Sequence, residues 1–147
     1  MDPITLEPNP AKGHSSEYTL RVASAIAEAV RVLNYATFAQ NAPDGMPYPS
    51  TSYDVIGRLQ AATAGMGQLF GQLADRLADL DTTQEITVSH GLFADDTDAA
   101  VDQALEALAT CAHVASDLDD ALRFAHAALS PLGLRLPADP EDGRRRR

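Results

Sequence analysis

His113 and Asp117 stand four residues apart, one turn of a helix. A histidine so placed beside a carboxylate is half of a metal site, or a general base with the group that orients it. Tetrahedral zinc asks for at least three protein ligands, and a base asks for a nucleophile or a substrate pocket. Both residues also fall off the apolar positions of their segment, so a solvated pair is the simpler reading. They belong to a longer acidic stripe, Asp102, Glu106, Thr110, His113, Asp117 and Asp120. Such a stripe is a face for a basic partner or an imitation of a phosphate line, set against the plainer reading of a wet helix face.

Other reactive residue types lack their settings. Ser89-His90 has no Gly-x-Ser-x-Gly strand-to-helix turn around it. Gly65, Gly67 and Gly71 lie inside a helical pattern and not between a strand and a helix, so they cradle no phosphate. Cys111 is the single cysteine, which excludes an intrachain disulfide and a cysteine metal cluster. No catalytic residue, cofactor site or metal site is assigned, and the chain reads as a non-enzyme. Arg144, Arg145, Arg146 and Arg147 form the one basic cluster, a candidate nucleic-acid contact or an incidental tail behind an acidic segment.

The elements that position these residues follow from periodicity. Val22, Ile26, Ala29, Val30, Leu33 and Ala36 share one face, with Arg21, Ser24, Glu28 and Arg31 opposite, which predicts an amphipathic helix over about 16–39 capped by Ser15 or Ser16. Pro43, Asp44-Gly45, Pro47 and Pro49 break the chain over 41–52. A second helix is predicted over about 53–80, with Thr51 and Asp54 resembling a capping box. Beside its large residues runs a ridge of small ones, Gly57, Ala64, Gly67, Gly71, Ala74 and Ala78 among them. Glycine costs roughly 1 kcal/mol in a helix interior relative to alanine, so this ridge predicts a closely approaching helix, of the same chain or of another, tightest at Gly67 and Gly71. Within a membrane Gly67-x-x-x-Gly71 would signal dimerisation, but Gln68, Gln72, Asp75 and Arg76 rule out an apolar span there.

Ile86, Thr87 and Val88 favour an extended backbone and His90-Gly91 a turn, so 82–96 is expected to be a loop. Asp96 or Thr97 caps a third helix over about 97–130. Val101, Ala104, Leu108, Cys111, Ala115, Leu118, Leu122, Ala125 and Leu129 alternate steps of three and four in it, a heptad seam that predicts a buried Cys111. The expected fold is all-α: an antiparallel bundle of three long amphipathic helices over 15–136, between flexible tails at 1–14 and 137–147.

Composition sets the class of partner. The net charge is −10, and −14 without the last four arginines. Long-range attraction to nucleic acid or to an anionic membrane is opposed, and neutral or basic protein partners are favoured. An alanine-rich chain without tryptophan buries little area per residue, which points to a homo-oligomer. The start is polar and proline-rich, and no stretch approaches 18 uninterrupted apolar residues, so a cytoplasmic protein without a membrane span is expected.

Two stretches, Glu28-Ala-Val-Arg-Val-Leu-Asn34 and Pro47-Tyr-Pro-Ser-Thr-Ser-Tyr-Asp-Val-Ile-Gly57, resemble small, poorly characterised helical proteins of actinobacteria, some of which accompany phage or plasmid genes. The resemblance covers about a third of the chain and implies no activity. The function expected is interaction, scaffolding or regulation through a helical surface. A nucleic-acid-associated regulator using the arginine tail is the alternative, with a small helical enzyme or ligand carrier behind it.

Overall fold

The computed structural model describes residues 6–8, 13–83 and 86–133. These are all-helical: α1 Ser16–Thr37, α2 Ala42–Gly45, α3 Pro49–Thr83 and α4 Thr97–Leu129, with no strand among the described residues. The all-helical class read from the sequence is the class observed. Residues 137–147, with the arginine cluster, lie outside the described residues, as does most of 1–14. The chain divides into two compact units, Met1–Pro47 and Tyr48–Arg147.

In the first unit Ser15 caps α1, its hydroxyl accepting from the Tyr18 amide at 3.1 Å. The Tyr18 hydroxyl in turn holds Glu7, accepting from its amide at 2.9 Å and donating to its carbonyl at 3.1 Å. This part of the N-terminal arm is therefore strapped to the helix. After α1 the Asn41 side chain donates to the Tyr35 carbonyl at 2.9 Å, and Pro43 sits in the first turn of α2, where its missing N–H costs nothing. The break read over 41–52 thus holds one helical turn. A side chain at Gly45 would run into the Ala36 carbonyl, so only glycine closes this turn.

The second unit is a helical hairpin. Helix α3 begins four residues earlier than the capping-box reading placed it, because Pro49 itself serves as a first-turn residue. Asp96 caps α4 through the Ala99 amide at 3.1 Å, and Asp98 follows in the positive first turn. Gly91 and Asp95 take left-handed backbone angles in the connecting loop, which the Asp95 amide closes on the Val88 carbonyl at 3.0 Å. Tyr53 stacks on His126 with ring centroids 3.8 Å apart, Gln60 bonds Asp119, and Gly67 lies beside Ala112. Residue numbers rising on one helix meet numbers falling on the other, so the pair is antiparallel.

Candidate functional site

Which residues seal the hairpin determines which remain free to act. On α3 the sequence Ile56, Gln60, Thr63, Gly67, Phe70, Ala74, Leu77 is buried or half-buried throughout, in steps of three and four. On α4 the same holds for Val101, Leu105, Leu108, Ala112, Ala115, Asp119, Leu122 and His126. Thr63, Val101 and Ala115 are the only buried residues among those described, at 7%, 7% and 5% exposure. The small side chains let the backbones approach closely. The Thr63 hydroxyl is satisfied within its own helix, donating to the Leu59 and Gln60 carbonyls at 3.2 and 3.0 Å. Asp119 accepts from Gln60 at 3.2 Å and from Arg123 at 2.6 Å, so the one carboxylate in the seam is partnered on both oxygens.

This seam corrects the one read from the sequence. It passes through Ala112 and Asp119, where Cys111 and Leu118 were expected, and Cys111 is exposed. The two lines share Val101, Leu108, Ala115 and Leu122 and diverge in between. Gln60 and Tyr53 on α3 draw Asp119 and His126 inward, and this turns Cys111 and Leu118 out.

Residues just before the seam form a second stripe. One residue is 100° of helix rotation. On α3 these are Val55, Leu59, Ala62, Met66, Leu69, Leu73 and Leu80, interrupted by Arg76; on α4 they are Ala100, Ala104, Ala107, Cys111, Val114, Leu118, Ala121 and Ala125. In an antiparallel pair a backward step on each helix turns toward the same side, so the two stripes make one face. Leu69, Leu73, Val114 and Leu118 are 43%, 48%, 58% and 46% exposed on it. Arg76 reaches outward to pair with Asp79.

Residues just after the seam turn to the opposite side. There lie Asp102, Glu106, His113 and Asp120, with Asp117 further round, all exposed. The acidic stripe is thus brought together along one helix, fully open to solvent. Among the described residues no group of three or more His, Cys, Asp or Glu is placed to hold a metal ion.

The small-residue ridge is divided by this geometry. Gly67 and Ala74 belong to the seam, whereas Gly57, Ala64, Gly71 and Ala78 flank it on the acidic side. A side chain at Gly67 would stand 3.7 Å from the Ala112 carbonyl, an ordinary contact, and one at Gly71 would meet nothing within 4 Å. Among the glycines of α3 the closest neighbour belongs to Gly57, where a Cβ would stand 2.8 Å from His126 Nε2. At Gly57 the nearby bulk is a ring, not a neighbouring backbone.

In the first unit a shallow cleft of about 260 Å³ is lined by Arg31, Asn34, Tyr35 and Phe38. Arg31 lies 5.4 Å from the Tyr35 ring centroid and pairs with Glu28 at 2.6 Å. The Arg31 hydrogen bond holds the Glu28 carboxyl below its ordinary value and raises the guanidinium in return. Among the described residues no helix is long and apolar enough to cross a membrane. No protein-family model, curated protein or solved structure matches the chain.

Proposed function

We propose that this chain is a non-enzymatic helical interaction protein that works assembled with copies of itself, in a scaffolding, regulatory or accessory role in the cytoplasm. One observation supports the reading: a long hairpin carries an apolar face on one side, interrupted only by Arg76, and only three buried residues among those described. A contiguous open face of this kind marks an interaction surface on a folded chain. The acidic side opposite suits a further partner of neutral or basic character. An antiparallel bundle of three long helices, α1 covering the hairpin, is the alternative cover for that face. Helix α1 carries its own apolar face, with Ile26 and Val30 46% and 50% exposed, and such a face needs a helical cover. A link with mobile elements rests on the two stretches quoted above.

The test is sedimentation equilibrium of the full chain over a range of micromolar concentrations, with circular dichroism alongside. A helical spectrum with a mass above 15.6 kDa is expected. A single-chain mass at every concentration would remove self-assembly from the reading. Gel shifts with and without residues 144–147 address the nucleic-acid alternative, and no shift is expected from either form.

A further inference from the structure

Resting on that reading of self-assembly, we infer that the apolar face of the hairpin is covered by the same face of a second copy, α3 of one chain lying over α4 of the other in a four-helix bundle. Three observations carry this. The first is angular. The stripe stands one residue, 100°, from the seam on both helices. Neighbours in a square of four helices are met at about 90°, and in a triangle of three at about 60°. The cover is therefore two helices wide, and a hairpin supplies that width.

The second is side-chain volume. The register set by Tyr53–His126, Gln60–Asp119 and Gly67–Ala112 makes Leu73 level with Ala107, Leu69 with Cys111, and Ala62 with Leu118. A large side chain on one helix is thus level with a small one on the other, and the order reverses at Ala62 and Leu118. A two-fold axis parallel to the helices puts α3 of each copy over α4 of its partner. Each of these three layers then holds two large and two small residues, which is how facing positions fill space without voids; the layer between them sets Met66 level with Val114. The same patch serves both copies, as a two-fold interface requires.

The third is area. From Val55 to Leu80 the face runs about 38 Å at 1.5 Å per residue, and two helices about 10 Å apart make it about 20 Å wide. That footprint, about 750 Å², is close to the roughly 800 Å² per partner of a stable interface. Apart from Arg76, which pairs with Asp79, the charged positions lie on the opposite side, so closure of the face buries no unpaired carboxylate.

The experiment uses the full chain with Leu69→Cys. Within one chain positions 69 and 111 point the same way from axes about 8 Å or more apart, beyond the reach of a disulfide. Between copies they face each other. Mild oxidation is expected to give a covalent dimer from Leu69→Cys, and far less from the native chain. Leu118→Glu is expected to shift the native mass to a single chain with unchanged helix content, and to speed alkylation of Cys111 about tenfold by opening its cover. If the native chain self-associates but neither variant behaves so, the face is wrong and self-assembly stands. A native chain covalently linked through Cys111 alone would put α4 against α4 and overturn the pairing. A native chain of single mass with Cys111 already protected would show an intramolecular cover, and both readings would fall together.

Discussion

Gly57 lies against a ring with little room to leave. His126 is stacked on Tyr53, and a methyl group at 57 would stand 2.8 Å from its Nε2. Gly57→Ala sets two effects against each other: roughly 1 kcal/mol gained in helix propensity and about 1–3 kcal/mol lost to overpacking. A net loss of stability is expected in urea unfolding, and His126→Ala in the same chain should relieve it. Gly65→Ala and Gly71→Ala meet no atom within 4 Å, so each is expected to stabilise by about 0.5–1 kcal/mol. If Gly57→Ala stabilises as much as these two, the His126 contact has no weight. In the first unit Glu28 is held below its ordinary value by the Arg31 hydrogen bond. A depressed carboxyl contributes stability above its unfolded value and loses it as pH falls through the folded one. Glu28→Gln should therefore flatten the acid limb of the melting profile slightly and leave the neutral region alone, as thermal melts across the acid range will read.

At the scale of the element, the hairpin depends on which of two adjacent heptad lines α4 turns inward. Asp119 is the residue that marks the choice, with its side chain 13% exposed between Gln60 and Arg123. Asp119→Ala removes the acceptor of a part-buried amide and is expected to cost about 1 kcal/mol or somewhat more in urea unfolding. If Asp119 were merely solvated, the change would be neutral. The same residue shows where sequence reading stops. The helices were legible to within a few residues, because three-four spacing, prolines and capping residues act within one segment. The inward line was not. Leu118 and Cys111 are more apolar than Asp119 and Ala112, and periodicity within α4 weighs only α4. What decides is across the groove, in Gln60 and Tyr53, and depends on a register between helices some 60 residues apart that no local pattern encodes. The acidic stripe was legible as an outward face for the converse reason: charge needs only water. The ridge of small residues was legible as a feature, but its division between seam and flank was not, since glycine and alanine fit both a tight contact and an open side.

For the whole molecule, charge and apolar surface pull in opposite directions. Each chain carries −10, so two copies repel at long range, while the apolar stripes attract only on contact. Raising salt shortens the Debye length from about 30 Å at 0.01 M to about 10 Å at 0.1 M. It screens the repulsion and leaves the apolar contact intact. Self-association through the hairpin face should therefore tighten with sodium chloride over this range, and the melting temperature should rise with protein concentration, since mass action favours the assembled state. Charge-mediated assembly predicts the reverse. Were Arg144–Arg147 of one copy to dock on Asp102, Glu106 and Asp117 of another, salt would weaken the complex, and deleting residues 144–147 would abolish it. On the apolar reading the deletion removes four positive charges and lowers the net charge to −14; association then weakens at low salt and recovers at high salt. Sedimentation equilibrium of the full and shortened chains at about 0.01 and 0.5 M salt reads both signs in one experiment. Association that falls with salt in the full chain and vanishes in the shortened one would transfer the assembly site from the apolar face to the acidic one.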